Sequence, residues 1–438
     1  MSMLPRHLAR FGYDSSYPKS FSSLSRSLLT TMLSLLLTLA GSTTQAQKLL
    51  VVGGALSSEN TDVIGTFIKH RAKHQSDIAI VPLASSSPVK SANSFRDALV
   101  LAGANEQQIR ILPLAVTDDS STDFDERQWA SNSNDQALAD SLKNVGAFWF
   151  VGGDQMRIVK ALRPERRSTA VLSAIYQQWE KGAVIGGTSA GAAMMSEIMI
   201  AAGDSFNAVT QPIAENYSGT ESQEQGLLYL HHGLGLFKDG VIDQHFDRKA
   251  RLGRLVKTLA HTQSEFGYGV DEDTGMLLDL KASTLTVVGS GNITIVDART
   301  ARFDEQPFTA EKLQLSVLSS GDQWSLQHAD LVYTPGKPTI GREYASEAPH
   351  QGAGLALANA RLNQLLGYQL LDNSGSQEIR RYSFVESGSG FLYRFRQTSD
   401  SRGYWAARQG SVDSYTAINV AFDLLPVTVQ VQMPGEDQ

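Results

Sequence analysis

Ser189 sits in Gly187-Thr188-Ser189-Ala190-Gly191, directly after the apolar run Ala183-Val184-Ile185-Gly186. The segment satisfies G-x-S-x-G and reads as a buried strand, a serine pinched between small residues, and the start of a helix. A sharp strand-to-helix turn of this kind lifts a nucleophile above a sheet edge, and glycines allow backbone angles that a Cβ forbids. The amides that open such a helix, near Ala190, and the positive end of its dipole lie where an oxyanion would form. The chemistry suggested is acyl transfer to a hydroxyl. A serine that merely caps the helix fits the same five residues.

A serine nucleophile needs a base, and the base needs an orienting group. Of the nine histidines, His245 has the most unusual setting. It follows the apolar Gly240-Val241-Ile242 in Asp243-Gln244-His245-Phe246-Asp247, and four cations come next: Arg248, Lys249, Arg251 and Arg254. A solvated basic helix would explain the cations but not an acid, an amide and a histidine stacked before them. A carboxylate partner is suggested by Tyr268-Gly269-Val270-Asp271-Glu272-Asp273, where an apolar strand runs into an acidic turn. Pattern alone does not choose among the three acids.

These residues need a scaffold that brings them to one rim. Apolar runs at 48–54, 78–83, 109–114 and 147–153 alternate with helical segments at 62–73, 91–101, 136–143, 155–162 and 170–181. Near-continuous apolar strands alternating with helices predict an α/β fold with a mostly parallel sheet sandwiched by helices. Ligands gather beyond the carboxyl ends of such strands. Gly53-Gly54, Gly152-Gly153 and Gly186-Gly187 all fall there, so Gly53 and Gly152 join Ala190 as candidate oxyanion donors. Residues 115–135 read as a surface loop, and 267–296 as short alternating strands. A linker at 333–338, a helix at 354–366 and β-like runs at 391–395 and 417–431 predict a small α+β C-terminal extension.

Composition narrows the function further. The chain has 438 residues and a formal charge of −7, which argues against a nucleic-acid partner. It has no cysteine, so thiolate nucleophiles, thiolate metal sites and disulfides are excluded. No metal-ligand cluster has the usual spacing. Basic residues precede a short apolar run at 28–39, followed by Gln45-Ala46-Gln47. That order predicts a secretory signal at 1–46 and a secreted or periplasmic protein with no membrane association after cleavage. The expected domains are then 47–330 for catalysis and 331–438 for the extension.

Taken together, five segments resemble the cyanophycinases, a serine peptidase family that also includes aspartyl dipeptidases. They are Phe150-Val151-Gly152-Gly153-Asp154-Gln155, Gly186-Gly187-Thr188-Ser189-Ala190-Gly191-Ala192, Val241-Ile242-Asp243-Gln244-His245-Phe246, Arg251-Leu252-Gly253-Arg254-Leu255 and Gly269-Val270-Asp271-Glu272-Asp273-Thr274. The resemblance implies a class I glutamine amidotransferase-like fold with serine in place of the usual cysteine. It implies Ser189 as nucleophile, His245 as base and Glu272 as its orienting residue, with no cofactor and no metal. The implied substrate is cyanophycin, a polyaspartate whose side chains carry arginine, or a related β-aspartyl peptide. By the same likeness Gln155, Asp243 and Gln244 contact substrate, while Lys249, Arg251 and Arg254 receive its carboxylates. Lys249 departs from the family pattern, which suggests an arginine there; lysine keeps the charge and loses the bidentate fork. A homodimer is also implied. The alternatives are an aspartyl dipeptidase or isoaspartyl-directed peptidase on the same scaffold, or a catalytically silent polyamide-binding protein.

Overall fold

The computed structural model describes residues 47–352, 361–385, 387–407 and 413–430. The expected signal segment lies outside them. Five short strands come first: β1 (Lys48–Val52), β2 (Asp77–Val81), β3 (Ile109–Ile111), β4 (Val145–Phe150) and β5 (Val184–Thr188). They pair in parallel in the order β3-β2-β4-β5-β1. Alternate side chains enter two different cores because successive residues of a strand face opposite ways. Leu50, Val52, Ile78, Ile80 and Trp149 pack with Val63, Phe67 and Phe95, from helices α1 (Thr61–Lys69) and α2 (Pro88–Leu101). Leu49, Val51, Val81, Phe148 and Phe150 pack on the other face. There they meet residues of α4 (Gln155–Leu162) and α5 (Ala170–Glu180), beyond the short α3 (Gln136–Ser141). Trp149 stacks on Phe95 with ring centroids 4.1 Å apart.

Helix starts follow from local polar residues. Asn60 accepts from the Val63 amide ahead of α1, Asp154 from Met156 ahead of α4, and Thr169 from Leu172 ahead of α5. Each satisfies an amide that the first helical turn leaves without a partner. After β5 come the four-residue helix α6 (Ala190–Ala193) and a hairpin of β6 (Ile198–Ala202) and β7 (Tyr229–His232), with α7 (Ser205–Thr210) between them. Next are β8 (Val241–Asp243), α8 (Leu252–Thr262) and β9 (Phe266–Val270).

From β9 onward the chain alternates between two sheets. β10 (Thr274–Asp279) adds antiparallel to β1 and β11 (Thr284–Gly289) antiparallel to β10, whereas β12 (Asn292–Asp297) returns to pair with β9. The second sheet also gains β13 (Arg302–Glu305) and β14 (Phe308–Ser319); β15 (Gln323–Ser325) and β16 (Asp330–Tyr333) close the edge of the first. Both crossings, at 271–273 and 290–291, lie beside the end of β1 and are pinned together. The Asp271 carboxylate accepts from the Asn292 amide at 2.9 Å, and the Gly291 amide donates to Thr274 Oγ1 at 2.7 Å.

The architecture is therefore α/β with two large mixed sheets, and the parallel part is narrower than the sequence reading anticipated. The other pairings are antiparallel except β8–β9, which pair in parallel across the connecting helix α8. Among the described residues, those beyond 330 build no sheet of their own. β17 (Glu378–Phe384), β18 (Ser389–Arg396) and β20 (Ser414–Thr428) extend the second sheet through β20–β14 pairing, and β19 (Arg402–Ala406) pairs with β20. The stretch read as a linker holds Lys337, a buried ammonium bonded to Asp322 at 2.6 Å and to Thr416 at 3.0 Å. A buried cation needs such partners. Of the expected helix at 354–366, residues 354–360 lie outside the described set; a π-helix, Gln364–Leu371, follows and buries Leu365, Leu366 and Leu370. The 115–135 loop contains the 3-10 turns of Glu126–Asn134.

Candidate active site

β5 ends at Thr188, and Ser189 turns the chain into α6 with φ 54° and ψ −111°. A non-glycine residue there costs about 1–3 kcal/mol and persists only where the surroundings enforce it. The enforcement is visible. A Cβ at Gly187 would lie 2.4 Å from the Gly191 carbonyl oxygen, and one at Gly191 would lie 2.3 Å from that of Phe150. α6 therefore rests directly on the strand ends, which only glycine permits. The Ser189 amide donates to Val52 at 3.0 Å, and its carbonyl accepts from Ala192 and Ala193. Its hydroxyl does not cap the helix. Oγ lies 2.9 Å from His245 Nε2 instead.

His245 follows β8 and also has positive φ, 49°. Its amide donates to the Gly53 carbonyl at 2.6 Å, and Nδ1 meets Glu272 Oε1 at 2.6 Å. A carboxylate only accepts, so Nδ1 carries the proton and Nε2 is free to accept from the serine hydroxyl. Each acid of the β9–β10 turn has its own partner. Asp271 bonds Asn292, Asp273 bonds the Ser57 amide and the Ser290 hydroxyl, and Glu272 faces the imidazole. The Glu272 amide donates to Asp247 Oδ1 at 3.0 Å, which fixes the turn from below. Burial lowers the His245 pKa, with Lys249 and Arg251 lowering it further against the opposing effect of Glu272. Burial, with Asp247 alongside, pushes Asp271 up to about 7.

The expected oxyanion donors divide. The Gly53 amide is committed to the Thr274 carbonyl at 3.0 Å, so Gly53 positions His245 rather than offering an N–H to a ligand. Gly152 faces the serine: a Cβ there would lie 3.3 Å from Ser189 Cβ. Ala190 opens α6, where helix geometry leaves amides without intrahelical partners.

The expected substrate residues divide as well. Asp243 and Arg254 are 1% and 2% exposed and face each other, Nε–Oδ2 at 2.8 Å and Nη2–Oδ1 at 2.5 Å. Arg254 Nη1 also donates to the Gly203 carbonyl at 2.5 Å. Both were expected to contact substrate directly; here each charge is met by the other. Gln155 is likewise engaged, donating to the Ile200 and Ala201 carbonyls and accepting from Gln223. Gln244, by contrast, has a buried Oε1 with no partner among the described residues. Arg251 is 3% exposed and donates to the Gln244 carbonyl at 2.6 Å. Burial first, then Arg254, lowers its pKa to about 9, and Asp243 Oδ1 lies 3.6 Å from Nη1. Lys249 pairs with Glu224.

Gly54, Asp247 and Glu224 carry weight that the sequence reading did not assign to them. A Cβ on Gly54 would meet His245 Cε1 at 2.2 Å, so the imidazole lies flat on that glycine. Among the described residues no group of three or more His, Cys, Asp or Glu could hold a metal ion, and no helix is long and apolar enough to cross a membrane.

A mixed α/β sheet that delivers a hydrogen-bonded serine, histidine and glutamate to one rim has the apparatus of serine hydrolases. Residues 49–286 match the model of Peptidase family S51. The chain belongs to that family and is a serine-type peptidase. It is similar to a cyanophycinase of Synechococcus elongatus, 31% identical over 287 residues, 64% of this chain and 79% of the relative. A cyanophycinase of Trichormus variabilis is 30% identical over 295 residues, 65% and 88% of the two chains. Among solved structures, a peptidase from an acI-B1 Actinobacterium aligns with a TM-score of 0.43 and 16% identity, over 64% of this chain and 98% of that one.

Proposed function

We propose that the protein is a secreted serine exopeptidase that hydrolyses cyanophycin to β-Asp-Arg dipeptides through an acyl-enzyme on Ser189. The observation that carries this reading is the unbroken chain Ser189 Oγ–His245 Nε2 at 2.9 Å and His245 Nδ1–Glu272 Oε1 at 2.6 Å. Ser189 Oγ attacks the scissile backbone carbonyl while His245 Nε2 takes the hydroxyl proton, and Glu272 stabilises the imidazolium. The Ala190 and Gly152 amides receive the developing oxyanion. His245 then gives its proton to the departing amine, and water, deprotonated in turn by His245, releases the acyl group. The elbow at the ends of the parallel strands is read as a class I glutamine amidotransferase-like scaffold carrying serine in place of cysteine.

The substrate assignment rests on the resemblance to cyanophycinases and on the chemistry of the rim. Each cyanophycin repeat presents a guanidinium and carboxylates. The unpartnered Gln244 Oε1 can accept from the former, and the Arg251 and Lys249 cations beside His245 can receive the latter. Export rests on the basic and apolar pattern of residues 1–46. Incubation with cyanophycin and mass analysis of the soluble product tests the reading, with β-Asp-Arg expected. Turnover of small Asp-X dipeptides with intact cyanophycin left behind would favour the aspartyl dipeptidase alternative.

The electrostatics give a pH prediction. The pKa of His245 is lowered from the ordinary 6.5, so its neutral, proton-accepting form persists to lower pH than that of a free imidazole. The acid limb of kcat/KM is expected to turn over below pH 6.5. Lys249→Gln removes a cation that disfavours the imidazolium, so the limb should move upward. A wild-type limb above 6.5, or a downward shift in the variant, would contradict this arrangement.

A further inference from the structure

The family match ends at residue 286, within β11, yet the chain beyond it reaches back to the catalytic rim. Asp247 is central to that contact. Its side chain is 5% exposed, and Oδ1 accepts the Glu272 amide at 3.0 Å. Its other oxygen faces two guanidinium groups, Arg248 at 3.4 Å and Arg361 at 3.8 Å. Arg248 comes from the same turn as His245, whereas Arg361 comes from the segment just before the π-helix. The remaining charged groups around Asp247 are Asp271 and Glu272 on the β9–β10 turn and His245 above it.

A buried carboxylate beside a second buried carboxylate requires cations to stay ionised and in place. Arg361 opposes the protonation of Asp271 for the same reason. The basic helix is supported from the same direction. A Cβ at Gly253, in the first turn of α8, would lie 3.1 Å from the Tyr393 hydroxyl of β18, and Phe391 meets Phe206 edge-on at 6.4 Å.

We infer that Arg361 is a positioning residue for the triad: it holds Asp247 against the β9–β10 turn, and Asp247 holds Glu272 against His245. The region beyond the family match is then a working part of the peptidase rather than an appendage. The inference rests on the proposed triad, so its test reads the activated serine directly and independently of any substrate.

Covalent labelling of Ser189 by phenylmethylsulfonyl fluoride, followed by intact mass across a pH series, supplies that readout. The serine oxygen forms the bond to sulfur, fluoride leaves, and the hydroxyl proton passes to His245. R361A should slow labelling about two- to fivefold, as expected of a half-exposed ion pair, while R361K stays near wild type. The acid limb of the R361A profile should move downward, since loosening Glu272 weakens the contact that raises the His245 pKa. In a D247N background R361A should add nothing, because the two residues act through one contact. An unchanged rate and profile in R361A, or an R361A effect that is undiminished in D247N, would overturn the inference. A wild-type protein that takes no label at Ser189 would overturn the triad reading beneath it.

Discussion

Replacing Gly54 with alanine is expected to remove almost all peptidase activity from a protein that still folds. Gly54 has φ +113°, and an added Cβ would lie 2.2 Å from His245 Cε1, 2.4 Å from Nε2 and 2.7 Å from Nδ1. No rotamer relieves this clash, because Cβ is the first side-chain atom. The turn cannot move away cheaply, since the Gly53 carbonyl holds the His245 amide at 2.6 Å and the Gly54 carbonyl holds the Asp273 amide at 2.9 Å. The imidazole must therefore leave the line between Ser189 and Glu272. Misplacing a reacting group by about 1 Å costs roughly a hundredfold, and losing the base altogether costs far more, so kcat should fall by about 10³-fold or more. Backbone strain at the new alanine should cost about 1–3 kcal/mol of stability, visible as a lowered but cooperative melting transition. A Gly54→Ala variant within tenfold of wild-type turnover would show that the imidazole does not depend on this surface.

Much of the site was legible in the sequence because its parts are local. The strand, serine and helix are consecutive, and His245 stands at a strand end with no bland explanation. The choice of acid was not legible by pattern. Asp271, Glu272 and Asp273 are consecutive, and only the crossing between sheets aims one at Asn292, one at the imidazole and one at Ser57. The same limit hid the pairing of Asp243 with Arg254. A charge in a sequence has no visible partner, and these two meet only because α8 folds back beside the end of β8. Gly53 was placed on the correct rim, but its amide is taken by Thr274, a residue 221 positions away in a strand that adds antiparallel to β1.

The C-terminal region shows the limit most clearly. Alternating apolar residues in 417–431 announce a strand without saying which sheet it joins. Its partner β14 lies about a hundred residues earlier, and register between such distant segments is set by which faces can be buried together. Lys337 looked like a linker residue for the same reason. Asp322 and Thr416, which make its burial tolerable, come from two separate parts of the chain.

The most direct test of the central claim is the rate at which purified Ser189→Ala protein releases β-Asp-Arg from cyanophycin, measured by mass beside wild type. The substitution deletes a single oxygen and leaves His245, Glu272 and the elbow backbone in place. With no nucleophile, the remaining oxyanion donors and binding groups sustain only residual chemistry, so turnover should fall by about 10⁴-fold or more. Release of the dipeptide by Ser189→Ala at the wild-type rate would contradict the serine mechanism outright.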